Sequence, residues 1–555
     1  MQQTCRQCRA IFDVTDDDLA FYDRVSPVFG GKKYLIPPPT FCPMCRQQLR
    51  LYHKNFFRLY VRNSSKSDRK VVSMYRPDAA VPVYAVDEWW SDSWQGQDYG
   101  QDIDMSTSIL GQISALSTRV PHIANVVAQS ENCDYCNFCF ESKNSYLVSG
   151  CVKNEECLYG HIVWFSRGTV DSLYSYRCEY CYECVGCSDC YNVRHARDAS
   201  NCSDSSFLDD CTGCRNCFGC VGLHSKEHHI FNVPCPAKEY LSRVATLFKN
   251  PEVIRKTMDA LQPQHIVKAV RSTNAENVSG NYLYNCKNVR HSFDLQNSED
   301  CAYCTTLSNF TDAMDIDFAA IKTELAYNSL TSYGQSIVCC ANCMSVGANL
   351  TYCDNCFSCK DCFGCVGLKN ARYCILNRQH TREEYERLVP PIITKMQEDG
   401  EWGEFFPVAM SPFAYNETMA QAYFPLTKEQ AVQQGFQWSD YEAPPPHAEK
   451  VISAEELPHA IDTVSDDILQ SAIQCEVTGK PFKIIKQELD FYRHMQLPLP
   501  HLHPDERHRW RMAQRNPRKL WDRQCAKCGK GIQTSYASER PEIIYCEECY
   551  LKEVY

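Results

Sequence analysis

The sequence contains no run of about 18 apolar residues, the length that a helix needs to cross a bilayer. Its first residues, MQQTCRQCRAIF, lack the basic segment and apolar stretch of a secretory signal. We therefore expect a cytoplasmic protein with no membrane partner. In a reducing cytoplasm, cysteines serve as free thiols or metal ligands rather than as a disulfide framework.

Common catalytic motifs and net positive charge are also missing. GxGxxG, P-loop, GxSxG and HExxH patterns do not occur, and nothing places His508 of DERHRWR in a cleft beside its carboxylates. We therefore predict no catalytic residue and favour a non-enzymatic role. The formal net charge of -11 argues against a dedicated nucleic-acid coat.

Cysteine is what the sequence has in abundance. There are 37 cysteines in 555 residues, and most of them lie between Cys133 and Cys374. All the others except Cys475 belong to four CxxC pairs near the two ends of the chain. Since 44% of the residues are apolar, a chain of this length can bury several cores without disulfides.

The four CxxC pairs predict two zinc ribbons. Zn²⁺ in structural sites takes four ligands in a tetrahedron, and two CxxC pairs supply four thiolates. We therefore predict two bound zinc ions. The predicted ligands are Cys5, Cys8, Cys42 and Cys45 in the first ribbon and Cys525, Cys528, Cys546 and Cys549 in the second.

Each end of the chain carries two related modules. Module A contains CRQCRAIFDVTDDDLAFY near the N-terminus and CEVTGKPFKIIKQELDFY from Cys475; module B contains LYVRNSSKSDRK and, later, LWDRQCAKCGK. One copy of module B has lost all four ligands and one copy of module A has lost all but Cys475, while both keep their apolar frame, as a dismantled metal site should. A weak metal site at Cys475, His503 and Glu506 is the less favoured alternative. The replacements are Thr478, His503 and Glu506 for Cys8, Cys42 and Cys45, and Ser64, Ser67, Ala85 and Glu88 for Cys525, Cys528, Cys546 and Cys549.

The central region contains a second duplication. An offset of 145 residues aligns NCFGCVGLHSKEHHIFN (216–232) with DCFGCVGLKNARYCILN (361–377). Short apolar units, irregularly spaced between Asn, Asp, Ser and Gly, predict coiled β structure, and a helical stretch follows each half. The predicted fold class is mainly β with some α: two tandem irregular β-solenoid-like Cys-rich repeats flanked by duplicated zinc-ribbon (treble-clef-like) modules.

The central cysteines have two interpretations. Many follow one another at every third residue, as from Cys178 to Cys190, whereas a continuous strand alternates its faces with period two. Turns between very short strands can let every third side chain point inward. In the favoured interpretation, Cys and Ser side chains then fill a narrow core. In the alternative, CxxC pairs bind further metal. The candidates for that role are Cys211, Cys214, Cys217, Cys220, Cys356, Cys359, Cys362 and Cys365.

A basic segment precedes and enters the second ribbon. Between Arg507 and Lys530, arginines and lysines alternate with Trp510 and Trp521. Such a surface can hold a phosphate backbone and stack bases, although a solvated helix face explains it as well. The candidate nucleic-acid contacts are Arg507, Arg509, Arg511, Arg515, Arg518 and Lys519.

These patterns divide the chain into seven predicted segments. They are the intact ribbon A (1–56), the degenerate ribbon B with an aromatic cap (57–130), the first Cys-rich repeat with trailing helices (131–275), the second with a trailing helix (276–400), a connecting segment and linker (401–470), the degenerate ribbon A (471–516) and the intact ribbon B (517–555).

The modules, the CFGCVGL blocks, the WWSD segment, SPFAYNETMAQAYFPLT (411–427) and the ending RPEIIYCEECYLKEVY together resemble a family of large, uncharacterised, Cys-rich zinc-ribbon proteins of reduced-genome bacteria. The resemblance covers nearly the whole chain and implies a bacterial cytosolic zinc protein, but no activity. The sequence thus favours a non-enzymatic zinc-binding scaffold with a protein partner. Two alternatives stay open: an RNA- or ribosome-associated protein using the ribbons and residues 507–530, and a thiol-rich metal store or redox protein.

Overall fold

The computed structural model describes residues 1–319, 322–345 and 347–554. The fold is mostly β, with 33% strand and 25% helix, which confirms the predicted mainly β class. The chain forms two units, each built from three segments. Unit 1 contains residues 1–124, 268–439 and 517–538, and unit 2 contains residues 125–267, 440–516 and 539–555.

The first parallel sheet lies in unit 2, and its eleven strands follow one another in chain order. Paired residues are 12 positions apart, as in Cys139 opposite Cys151 and His161 opposite Leu173. Only the last pair of strands is antiparallel. The strands are Val127–Ala128, Asn137–Phe140, Ser149–Val152, His161–Trp164, Leu173–Tyr176, Tyr182–Val185, Tyr191–Arg197, Ser203–Ser206, Arg215–Phe218, Glu227–Ile230 and Val233–Pro234.

Every third residue from Gln129 to Phe231 has a positive φ near +50 to +70°. Asn, Asp and Gly, which tolerate this left-handed conformation best, occupy many of these positions. Each left-handed residue turns the chain, so that the residue after it faces inward. The sequence analysis predicted irregularly spaced β units. In this sheet the spacing is constant instead, because the backbone conformation repeats every three residues.

The second parallel sheet lies in unit 1 and has twelve strands. Its register varies: Glu276 is opposite Lys287, Lys287 opposite Glu299, and Phe310 opposite Thr323. Strands Lys287–Gln296 and Phe310–Ala319 each pair with both of the short strands between them, Glu299–Ala302 and Thr305–Ser308. These four strands therefore form a small closed barrel. The strands are Ser272–Thr273, Glu276–Tyr284, Lys287–Gln296, Glu299–Ala302, Thr305–Ser308, Phe310–Ala319, Thr323–Leu330, Gly334–Val338, Gly347–Thr351, Lys360–Phe363, Arg372–Ile375 and Arg378–Gln379.

The remaining strands are short, and most form hairpins of the end modules. They pair as Gln2–Thr4 with Ile11–Asp13, Val28–Phe29 with Lys32–Lys33, Tyr60–Asn63 with Lys70–Ser73, Val83–Tyr84 with His122–Ile123, Glu131–Asp134 with Lys143–Tyr146, and Trp521–Gln524 with Gly531–Thr534. Two others are Ile266–Lys268 and Ile543–Tyr545.

Helices occur mainly in the end modules and after each parallel sheet. Thr15 begins the first of them with a capping box, in which its hydroxyl and the Asp18 carboxylate exchange backbone hydrogen bonds. Within the described residues, no helix is both long and apolar enough to cross a membrane. The α-helices are Asp16–Val25, Pro43–Tyr52, Val86–Trp90, Ile109–Ser117, Ala237–Leu247, Pro251–Leu261, Arg382–Glu398, Met419–Tyr423, Lys428–Gln433, Lys486–Met495, Pro504–Ala513 and Glu547–Val554.

The segment predicted as a linker is ordered structure from Lys450 onward. Strand Lys450–Ser453 pairs with Ser471–Gln474, which in turn pairs with Pro481–Phe482. Leu457 and Ile461 are buried in the same core as the degenerate module A. The acidic composition of this segment hides the apolar residues that this core takes up.

The aromatic segment after module B packs on the end of the second parallel sheet. The ring of Trp89 lies 5.1 Å from that of Phe357, and the Asn377 side-chain amide donates to the Gly96 carbonyl at 2.9 Å. A Cβ at Gly96 would stand 2.8 Å from the Gly367 carbonyl oxygen, so only glycine permits this close approach. The segment thus covers the final strands of that sheet.

Candidate metal centres

The first predicted ribbon brings its four cysteines together. The Sγ atoms of Cys5, Cys8, Cys42 and Cys45 all lie within 4.8 Å of one another, and Cys8 Sγ is 3.7 Å from Cys42 Sγ. Because Zn–S bonds are about 2.3 Å long, the sulfurs of a tetrahedral site are about 3.8 Å apart. The group therefore fits one zinc ion with little movement of the side chains.

Local backbone geometry positions these four ligands. Cys5 N–H donates to the Ala10 carbonyl at 2.8 Å, and Arg9 N–H donates to the Cys5 carbonyl at 3.0 Å, which closes a tight turn. Cys42 is the N-cap of helix Pro43–Tyr52, where the helix dipole favours a thiolate. A hydrogen bond from the Cys45 thiol lowers the pKa of Cys42 to about 5 against the opposing effect of burial.

The second predicted ribbon has the same local design. Cys525, Cys528, Cys546 and Cys549 form a group whose Sγ atoms lie within 4.8 Å of one another. Cys525 N–H donates to the Lys530 carbonyl at 2.8 Å, and Gly529 N–H donates to the Cys525 carbonyl at 2.9 Å. Cys546 directly precedes helix Glu547–Val554. All eight predicted ligands are thus grouped as the sequence indicated.

The same turn occurs in the two segments that the sequence comparison aligned with the ribbons. In the degenerate module A, Cys475 N–H donates to the Lys480 carbonyl at 3.0 Å. In the degenerate module B, Ser64 N–H donates to the Arg69 carbonyl at 2.8 Å, and Asp68 N–H donates to the Ser64 carbonyl at 3.1 Å. The backbone of the turn therefore does not depend on the full ligand set.

Hydrogen bonds occupy the emptied site of module B. The Ser64 hydroxyl donates to Glu88 Oε2, and Ala85 N–H donates to the same oxygen at 3.1 Å. Burial acts to raise the pKa of Glu88, but the hydrogen bonds from Ser64, Ser67 and Ala85 hold it below its usual value. The hydrogen bond between Ser64 and Glu88 thus connects the turn at Ser64 to helix Val86–Trp90. In the four-cysteine module, thiolates and a metal ion would connect the corresponding turn and helix.

The emptied site of module A is dispersed. His503 Nδ1 accepts from Asp505 N–H at 3.1 Å, and Glu506 pairs with Arg509 at 2.5 Å. Within the described residues, Cys475, His503 and Glu506 do not form a close group of metal ligands.

The central cysteines point into the parallel sheets. All of them are buried except Cys133, which is partly exposed. A typical thiol donates to the carbonyls two residues before and nine residues after it, as Cys184 does to Tyr182 at 3.6 Å and Val193 at 3.5 Å. Ser175 donates in the same way to the Cys184 carbonyl, so thiols and hydroxyls share one inward role.

The eight central cysteines named as candidates for further metal belong to this buried set. In the part of the chain that the structure describes, none of them lies in a close group of three or more ligand atoms. Their burial favours the core-filling interpretation, because small thiols suit a narrow interior that larger side chains would overpack. They are Cys211, Cys214, Cys217, Cys220, Cys356, Cys359, Cys362 and Cys365.

A third close group was not anticipated. The Sγ atoms of Cys133, Cys136 and Cys139 lie within 4.8 Å of one another. Their spacing along the chain is the same as in the buried runs, so the sequence contains no signal that distinguishes them.

The predicted basic patch is not one exposed surface. The side chains of Arg507 and Arg511 are only 3% and 1% exposed, and both pair with the buried Asp171, at 2.5 and 2.6 Å. The Arg518 side chain is 6% exposed and pairs with Asp294 at 3.1 Å. These three guanidinium groups cannot reach a phosphate backbone in this fold, since carboxylates already enclose them.

The other three predicted nucleic-acid contacts are placed differently. Arg509 is 66% exposed and pairs with Glu506. Arg515 lies 3.9 Å from the centre of the Tyr174 ring, and Lys519 lies 5.0 Å from that of Trp521. Arg515 and Lys519 thus lie against aromatic rings, whereas Arg509 is open to solvent.

Comparison with protein-family models and with curated proteins finds no match for this chain. Its function is therefore argued from the sites themselves.

Proposed function

We propose that this protein is a non-enzymatic zinc-binding scaffold. In this proposal, two treble-clef zinc ribbons, one near each end of the chain, stabilise a protein whose bulk is two β-solenoid repeats. The observation that carries it is the pair of four-cysteine groups, each with its sulfurs within 4.8 Å. Four thiolates leave no open coordination position, which is typical of structural rather than catalytic zinc.

The solenoid part of the proposal rests on the triplet backbone. Four triplets make the constant offset of 12 residues in the first parallel sheet, so we infer four-sided turns with one inward side chain on each side. Further parallel bridges, such as Lys143 to Glu155 and Glu155 to Arg167, run outside the named strands with the same offset. A sheet with such turns suits a scaffold, because each turn needs only its neighbours.

A common origin for the repeats is also proposed. Strands Arg215–Phe218 and Glu227–Ile230 of the first parallel sheet become Lys360–Phe363 and Arg372–Ile375 of the second after a shift of 145 residues. In the same way, helix Pro43–Tyr52 becomes Pro504–Ala513 after a shift of 461 residues. Whole elements that match under one shift support duplication more strongly than matching letters do.

The same observations weigh against the metal store and the redox protein. A store must release and take up its metal, and a redox thiol must reach solvent. The central thiols are buried and hydrogen-bonded to carbonyls. Membership of the reduced-genome family, a cytoplasmic location and a protein partner are further parts of the proposal, supported by the sequence alone.

Zinc counting tests the proposal. Native and denaturing mass spectrometry of the full chain, purified without added metal, should give two tightly bound zinc ions. Cys8→Ser, which alters an exposed ligand, should remove one of them. The matched control is Ser67→Ala, because Ser67 stands in the emptied site where Cys528 stands in the intact one, and it should leave both. A chain that folds without zinc, or a count that Cys8→Ser leaves unchanged, would refute the zinc-ribbon scaffold.

A further inference from the structure

The third cysteine group lies at an edge of the solenoid-like region. Strand Glu131–Asp134, which contains Cys133, pairs only with Lys143–Tyr146 within the described residues. In the part of the chain that the structure describes, no strand covers its other side, and Cys133 is accordingly the one partly exposed cysteine of the central region. The group is therefore open to solvent on the side of Cys133, whereas Cys136 and Cys139 are buried beside it.

Cysteines with the same spacing elsewhere behave differently. From Cys178 to Cys190 they are all buried and, in the described part of the chain, no three of them form a close group. Each donates to two carbonyls, as Cys184 does, and Cys133 and Cys136 do the same, so the difference in hydrogen bonding lies at Cys139. Cys139 Sγ has no such carbonyl contact among the described residues. Its side-chain neighbours include Ser130 Oγ at 3.9 Å, the other two thiols of the group and the buried Cys151 thiol.

We propose that Cys133, Cys136 and Cys139 form a third metal site, which binds zinc through three thiolates and keeps an exchangeable fourth ligand. Three thiolates select soft or borderline ions such as zinc over magnesium or calcium. Three protein ligands with an open position are typical of zinc that exchanges or activates a ligand, in contrast to the closed ribbon sites. Water or an external thiol would occupy the fourth position.

The thiols give up little on binding the metal. Cys133 donates to the Ser142 carbonyl at 3.4 Å and Cys136 to the Ser145 carbonyl at 3.5 Å. Because sulfhydryl groups are weak hydrogen-bond donors, the hydrogen bonds that are lost when zinc binds contribute little free energy. The metal binds as the thiols release their protons to solvent, and no electron transfer is required.

Zinc titration of the full chain tests this site. With added Zn²⁺ alone, native mass spectrometry should show three ions per chain, and a mild chelator should remove the third before the other two. Cys133→Ser should abolish binding of the third ion only. Serine should fit at this position, because Ser145, the residue paired with Cys133 in the neighbouring turn, is already a serine. The matched control Cys178→Ser, in a closed run of the same spacing, should keep all three.

Three outcomes would overturn the inference. One is a wild-type count that stays at two in excess zinc, which would leave the ribbon sites intact and so separate this failure from that of the scaffold proposal. Another is loss of the third ion in Cys151→Ser, because Cys151, opposite Cys139 in the register, would then close the site. The last is visible absorbance of an iron–sulfur cluster in the purified protein.

Discussion

Arg50 and Asp317 form an ion pair in which neither side chain reaches solvent, with Arg50 Nε 2.7 Å from Asp317 Oδ2. Arg50 lies on helix Pro43–Tyr52 of module A, and Asp317 on a strand of the second parallel sheet. The equivalent residue of the degenerate module, Arg511, meets Asp171 at 2.6 Å with the same complete burial. Both module A segments are therefore joined to a parallel sheet by buried charge, with or without a four-cysteine group.

The first prediction concerns Asp171. Asp171→Asn keeps the shape of the side chain but leaves Arg507 and Arg511 without their shared carboxylate. Breaking a buried ion pair costs about 3–5 kcal/mol, and we expect a loss of this order in the free energy of unfolding, measured by urea denaturation.

The control for Asp171 is Asp189→Asn. Asp189 also has a left-handed backbone and also pairs with an arginine, Arg177, but that pair is largely exposed. Exposed pairs contribute about 0–1 kcal/mol, so this variant should unfold almost as the wild type does. Equal losses in the two variants would mean that burial of the pair has no effect.

The second prediction rebuilds the emptied metal site. The combined variant Ser64→Cys, Ser67→Cys, Ala85→Cys and Glu88→Cys restores four thiolates on a turn whose backbone bonds are already in place. It should bind one more zinc ion than the wild type, as counted by native mass spectrometry. Ser67→Cys alone should bind no more than the wild type, since one thiolate does not hold zinc. A folded quadruple variant with no additional zinc would show that the emptied module has lost the site geometry.

The third prediction distinguishes core packing from metal binding. Cys184→Ser should change the free energy of unfolding by only about 1 kcal/mol, because Ser175 already fills an equivalent inward position. Cys184→Leu should cost more, about 1–3 kcal/mol, by overpacking the interior. Neither variant should change the number of bound zinc ions. A lower zinc count in Cys184→Ser would favour the metal-store alternative.

The fourth prediction concerns acid stability and His53. Burial lowers the pKa of His53 to about 3, and its ring packs edge-on against Phe405 at 5.4 Å. The imidazole is protonated near pH 6.5 in the unfolded chain but only near pH 3 in the folded chain. The free energy of unfolding is therefore highest above pH 6.5 and decreases as the pH falls toward 3. Between pH 6.5 and 4 the loss should be roughly 3 kcal/mol.

His53→Gln isolates this effect from the loss of zinc in acid, which both proteins share. The difference in unfolding free energy between wild type and variant should grow more favourable to the variant as the pH falls from 6.5 to 4. A constant difference over that range would contradict the assignment to His53.

The candidate metal sites could be predicted largely from the sequence, because short ligand spacings fix which thiols can meet. A CxxC pair in a tight turn places two sulfurs on one side of the chain, and the emptied copies indicated which of the eight cysteines act as a set. Cys5, Cys8, Cys42 and Cys45 accordingly lie together. The mainly β class followed from short apolar units between turn-forming residues.

The role of the remaining cysteines and arginines was decided by the tertiary structure. Period three is ambiguous in a strand, and only the left-handed residue in every triplet turns Cys178 to Cys190 inward. Cys133, Cys136 and Cys139 have the same spacing, yet they form a close group at an uncovered edge. Arg507 and Arg511 looked like a binding surface until the parallel sheet supplied Asp171. Spacing sets what neighbours along the chain can do, but burial and charge partners come from segments hundreds of residues away.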